Sequence, residues 1–243
     1  MNILQSLNWR RIVNGCLPVI LFLATAPAQE PAKPQASDEL QRVLKQMDQT
    51  AANFRTTQAA FVWDQYQKVV DEIDTQKGIV YFRRNGNEVQ MAADINDPTS
   101  PKYVLFADSK VEVYQPKIDQ VTSYNTGKDH AAFEGFLVLG FGGSGRDLQK
   151  SFEVSYVGTE KVNGVDTAKL ELVPKSAKVR NTFAHIVLWI DRSRGVSVQQ
   201  QLFEPSGDYR LAKYSDIQLN QRIPDSAFKL KTSGKTKFVS PQG

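Results

Sequence analysis

The chain has 243 residues, 41% of them hydrophobic and 23% charged, a globular composition that excludes a disordered, collagen-like or coiled-coil protein. A balance of 30 basic to 26 acidic residues leaves a net charge of +4, and Arg10 and Arg11 lie in an apolar leader, so the remainder is too balanced to bind nucleic acid through bulk charge. The single cysteine, Cys16, excludes a disulfide framework and a thiolate metal site.

Residues 1–28 read as a cleaved secretory signal. Arg10-Arg11 is the positive start, 17–26 the short apolar run, and Ala26-Pro-Ala28 the small-x-small site before Gln29. The apolar run is shorter than the ~20 residues that span a bilayer, and Pro18 interrupts it. Cys16 precedes that run, so it does not mark a lipoprotein cleavage box. Residues 29–36 form a Pro-rich tether with no apolar period, and one domain is expected over 37–243.

That domain opens with an amphipathic helix. Ser37 is a suitable N-cap, Asp38 and Glu39 suit the first turn, and Leu40, Val43, Leu44, Met47, Ala51 and Phe54 make one stripe. The period then changes to two. Strands are expected at 58–70, 77–84, 88–93, 103–107, 111–115, 120–124, 152–159, 168–173, 184–191, 196–204 and 209–219. Turn signals such as Asn85-Gly-Asn87, Asp108-Ser-Lys110, Asn163-Gly164 and Pro205-Ser-Gly207 separate them. Short strands joined by hairpin turns imply a mainly β (α+β) protein: a curled antiparallel sheet or barrel of about eleven strands. Apolar residues 130–140, with Phe133, Phe136, Leu137 and Leu139, break the meander and read as a short helix lying over the sheet. A glycine-rich flexible hinge, Gly142-Gly-Ser-Gly145, follows.

Chemical motifs are few. Gly140-Phe-Gly142-Gly-Ser-Gly145 fits the dinucleotide pattern, but too few residues separate it from the next strand for a crossover helix. Ser226-Ala-Phe-Lys229 fits SxxK without partner motifs, and Ile223-Pro-Asp-Ser-Ala-Phe228 reads instead as a turn delivering Phe228 into a core. His130 and His185 are the only histidines, and neither has metal-ligand spacing. We expect no enzyme, no cofactor and no metal. The large apolar residues either fill a core or line an apolar cavity on the concave side of the sheet.

The order of the motifs resembles the LolA family of periplasmic carriers of outer-membrane lipoproteins, over nearly all of 39–240. The resemblance rests on Ala60-Phe61 after the opening helix, Gly78-Ile-Val-Tyr-Phe-Arg-Arg84, Leu105-Phe-Ala-Asp108, Val113-Tyr-Gln-Pro116 with Gln120-Val121, Leu172-Val-Pro-Lys175, Phe183-Ala-His-Ile-Val-Leu-Trp-Ile-Asp191 and Ile223-Pro-Asp-Ser-Ala-Phe228. It implies an incomplete antiparallel β-barrel, with the N-terminal helix and a short helix as lid over an apolar cavity. The implied lining is Phe61, Trp63, Val80, Phe82, Met91, Leu105, Tyr114, Phe133, Phe136, Leu137 and Trp189. Arg84 matches the family's strand arginine, which hydrogen-bonds to the lid when the cavity is empty. The family has a proline and then an aromatic after that arginine, where this chain has Asn85-Gly86. By the resemblance, a periplasmic monomer would take acylated lipoproteins from an inner-membrane ABC-type transporter and hand them to an outer-membrane receptor. The alternative is an envelope lipid- or lipoprotein-sensing module of the same fold.

Overall fold

The computed structural model describes residues 33–85, 88–126 and 139–241. Helix α1 spans Lys33–Ala52. It begins before Ser37 and takes in the end of the Pro-rich segment, because a proline in the first helical turn has no intrahelical hydrogen bond to lose. The short helix expected over 130–140 falls largely on residues outside the described set.

Twelve strands follow: β1 Thr56–Gln67, β2 Glu72–Asn85, β3 Glu88–Ile95, β4 Lys102–Ala107, β5 Lys110–Gln115, β6 Gln120–Asn125, β7 Phe152–Val162, β8 Val165–Pro174, β9 His185–Asp191, β10 Ser197–Phe203, β11 Tyr209–Leu219 and β12 Lys237–Val239. Helix α2, Gly145–Ser151, precedes β7, and the single turn α3, Ala177–Arg180, precedes β9. The expected strand 58–70 stops at Gln67; the chain then turns through Asp71 at φ 53° and β2 starts at Glu72, so this hairpin is longer than the alternation alone implied. At the tip of β7–β8, Asn163 and Gly164 both take positive φ (49° and 82°), the primed turn that matches strand twist.

All twelve strands form one sheet in the order β12-β6-β5-β4-β3-β2-β1-β11-β10-β9-β8-β7. Every pairing is antiparallel except β12 against β6. The outer strands β12 and β7 do not pair with each other, so the sheet curls as an open, unclosed barrel. This order has a consequence for the chain path. Strands β1 to β6 step outward to one edge, β7 starts at the opposite edge, and β7 to β11 step back to β1. Strands β6 and β7, consecutive in the chain, therefore lie toward opposite ends of the sheet.

Registered partners share a face, and that assignment propagates strand by strand. Leu170 of β8 lies beside Leu188 of β9, Leu188 beside Gln200 of β10, Gln200 beside Ala212 of β11 and Ala212 beside Trp63 of β1. We call this the inner face, because α1 lies on it. The helix stripe of Val43, Leu44 and Met47 is buried together with Leu139, Leu148, Phe152, Leu170, Leu172, Ile186, Leu188 and Ile190. Each such side chain contributes about 1.5–3 kcal/mol on burial. Hydrogen bonds pin α1 to the β9–β10 turn: Thr50 Oγ1 donates to the Arg194 carbonyl (2.6 Å) and Gln46 Nε2 to that of Ser193 (3.1 Å). Arg192 adds an ion pair to Glu39.

The outer face of β2 to β6 is covered by the C-terminal segment. Ala92, Tyr103, Leu105, Tyr114, Val121 and Phe228 form one buried cluster there, with Tyr81, Ile223 and Leu230 against it.

Candidate functional site

The inner face of β1 to β4 is where apolar side chains gather without α1 above them. Phe61 of β1 pairs with Gly78 of β2, and Ala59 with Val80. Val80 pairs with Ala93, and Phe82 with Met91 on β3. A Cβ on Gly78 would sit 2.0 Å from the Asp94 carbonyl oxygen and 3.0 Å from the Phe61 ring, so only glycine lets that ring lie across the strand. Phe54, Phe61, Val80, Phe82, Val89, Ala93, Ile95 and Phe141 form one buried cluster, with Met91, Val104 and Tyr214 half-buried against it. Trp63, next along the inner face of β1, keeps 38% of its surface exposed.

The top of this cluster is filled by the residues just before α2. Phe141, 1% exposed, stacks on Phe82 (5.4 Å between centroids) and meets Tyr214 edge-on at 4.7 Å. Its position is fixed from both sides. The Ser197 N–H donates to the Gly140 carbonyl (2.9 Å), and Gln200 Nε2 donates to that of Leu139. Gly140 and Gly142 both have positive φ (78° and 88°), and a Cβ at Gly142 would strike the Phe54 ring at 2.7 Å. The glycine-rich run is thus a packed bridge under α1, not a flexible hinge, and its glycines permit close approach. At its end the Ser144 hydroxyl accepts from the Asp147 N–H at the start of the seven-residue α2. Burial pushes the Tyr214 phenol well above its ordinary pKa, and its hydroxyl donates to Gln200 Oε1 (3.5 Å).

The structure brings Phe61, Trp63, Val80, Phe82 and Met91 onto this one surface, and Arg84 onto its rim. Arg84 follows Phe82 at period two, is exposed, and holds its guanidinium 5.8 Å from the Phe54 ring at the end of α1. Its N–H donates to the Arg55 carbonyl (2.8 Å). The remaining candidates are not brought to this surface. Leu105 and Tyr114 lie on the outer face beneath Phe228. Trp189 lies on the outer face of β9 among Val162, Val187 and Val198; its indole N–H donates to Glu160 (2.9 Å), and the Lys169 ammonium stands 4.8 Å from its ring. That indole bond holds the Glu160 carboxyl below its usual range. Phe133, Phe136 and Leu137 lie outside the described residues.

Sequence reasoning also missed Arg83, which points to the outer face. Its Nε donates to Gln90 Oε1 and its Nη1 to Asp225 Oδ1, both at 2.6 Å, and the guanidinium lies 4.2 Å over the Phe228 ring. Tyr103 donates to the Ala227 carbonyl, and burial pushes its phenol up to about 12. Together they fasten the Asp225–Phe228 turn to the sheet. The signal was available, since Arg83 shares period two with Tyr81. Ser226 and Lys229 sit at this turn, both exposed, and His185 stacks on Phe203 at 4.3 Å. Among the described residues no three His, Cys, Asp or Glu groups could hold a metal ion.

Comparison with known proteins bears on the fold. A family model described only as an uncharacterized protein matches residues 105–224. No curated protein sequence matches the chain. An uncharacterized conserved protein of Thermus thermophilus is 11% identical over 85% of this chain and 99% of its own, with a TM-score of 0.51. MucB is 14% identical over 84% of this chain, at a TM-score of 0.50; the match spans 65% of the MucB chain. A LolA superfamily protein from Nitrosomonas europaea is 15% identical over 79% of this chain and 97% of its own, at a TM-score of 0.38.

Proposed function

We propose that this protein is a periplasmic binding protein that shelters acyl chains on the inner face of its open sheet and carries lipoproteins from the inner to the outer membrane. The observation that carries this reading is the surface of Phe61, Val80, Phe82 and Met91 continuing to the exposed ring of Trp63. Trp63 leaves that apolar surface open at one end, as entry of an apolar ligand requires. Each buried methylene is worth ~0.8 kcal/mol, so one acyl chain gains roughly 10 kcal/mol gross. A carrier that kept all of that would not release its cargo. Phe141 supplies the competition, because it already occupies the upper part of the surface.

In this reading residues 1–28 export the chain, residues 37–243 form the carrier domain, and Arg84 closes the rim against the end of α1 when the site is empty. The partners are acylated lipoproteins, an inner-membrane ABC-type transporter that loads them and an outer-membrane receptor that receives them. Native mass spectrometry of protein purified from the periplasm tests the carrier reading: an acyl or lipoprotein adduct is expected. Bare protein that also takes up no hydrophobic dye would overturn it.

A further inference from the structure

We propose that Arg210 is the recognition point for an anionic head group, so that the inner face selects amphiphiles joining a carboxylate or phosphate to an apolar chain. This rests on the acyl-binding reading above and names the ligand's other end. Arg210 of β11 pairs with Gln65 of β1 and Leu202 of β10, which places it on the inner face. Two residues along, Ala212 pairs with Trp63. Arg210 is therefore a diagonal neighbour of the open tryptophan on that face, in the class of residue pairs whose backbones stand about 7–8 Å apart.

Its hydrogen bonding is incomplete. Nη2 pairs with Glu204 Oε1 at 2.9 Å, but the Nε–H is shut off from solvent and has no acceptor. Nε and Nη2 form one edge of the planar fork, the edge that matches two oxygens of a carboxylate or phosphate. Glu204 stands against Nη2 as an ion pair and leaves the Nε position without an acceptor. An anionic head arriving with its chain along Trp63 would take the Nε–H and displace Glu204 from Nη2. The Phe183 ring, 5.6 Å from the guanidinium carbon and on the short segment between α3 and β9, shifts to admit it. Glu204 then holds the arginine in place while the site is empty.

The test uses cis-parinaric acid and its methyl ester, which share one fluorescent chain and differ by one charge, titrated into purified wild-type protein, Arg210→Gln and Glu204→Gln at pH 8. Wild type is expected to bind the acid about tenfold more tightly than the ester, the worth of one charge-assisted bond. Arg210→Gln abolishes that ratio and Glu204→Gln widens it. Palmitate or lysophosphatidic acid displacing the acid identifies the head as carboxylate or phosphate, and either supports the assignment. Equal binding of acid and ester by wild type overturns it, as does an unchanged ratio in both variants or displacement by inorganic phosphate alone. Failure of both probes to bind wild type would instead remove the acyl-binding reading beneath it.

Discussion

The two halves of the inner face are built from the same alternating pattern and end up in different physical states. Under α1, Leu170, Leu172, Ile186, Leu188 and Ile190 are fully buried, aliphatic and interdigitated with Val43, Leu44 and Met47. On β1 to β4 the surface is aromatic and sulfur-containing, with Phe61, Phe82, Met91 and Trp63, and among the described residues its roof is Phe54 and the Phe141 bridge. The strands do not make this difference; the roofs do. A twenty-residue helix fastened to the β9–β10 turn seals one half permanently. Among the described residues the Phe54 ring and the Phe141 ring on its glycine-flanked bridge cover the other, and a ring can be exchanged for a ligand at far lower cost than a helix. Stability resides in the first half and exchangeable contacts in the second.

The largest expected effect falls where that division is sharpest. Leu188→Ala empties a fully buried position under α1 and costs about 2–5 kcal/mol in urea unfolding, with acyl-probe affinity unchanged. A folded variant that has also lost affinity would show that the halves are coupled. Phe141→Ala removes a ring contacting Phe82 and Tyr214 and costs about 3 kcal/mol, toward the low end for such a change because the bridge can settle. Unlike Leu188→Ala, it raises probe uptake, since the vacated volume faces the ligand surface. Lower uptake would mean that Phe141 builds the site and does not compete for it.

The strands, their order of hairpins and the opening helix were legible because period two over 152–159 or 168–173 and a 3,1,3 spacing over 40–47 leave little else to form. Which face is roofed was not legible. Leu105, Tyr114 and Trp189 have the same apolar character and period as Val80 and Phe82, yet a two-residue period marks two faces without saying which one α1 will cover. That choice depends on contacts distant in sequence: the C-terminal segment reaches back from Asp225 to Arg83, and α1 reaches forward from Thr50 to Arg194. The Gly140–Gly145 run shows the same limit. Its glycines read locally as freedom, whereas Phe54 and Leu44, some 90–100 positions earlier, are what require the missing Cβ atoms.

Arg84 tests the rim between the halves with a smaller effect. Its guanidinium is exposed and flanks Phe54, so Arg84→Leu changes stability by less than about 1 kcal/mol, as an exposed charge contact should. If it closes the empty site against α1, the variant retains bound acyl probe longer, seen as a slower dissociation rate. An unchanged rate would reduce Arg84 to a solvated strand-end charge.

The smallest effect separates the halves by pH. Burial alone would raise the Asp191 carboxyl, but bonds from the Ser193 hydroxyl, the Arg194 guanidinium and the N–H groups of both residues outweigh it and hold its pKa below the ordinary value of 3.8. A depressed folded pKa favours the folded state: the contribution is full above 3.8 and is lost as pH falls through the lower folded value. Asp191 organises the turn whose carbonyls anchor Gln46 and Thr50, so this loss is felt at the roof of the sealed half. Hydrogen exchange below that pH should show α1 amides losing protection before those of β2 and β3, and Asp191→Asn should remove the difference. Simultaneous loss in both regions would mean that the sealed half is not held by this turn.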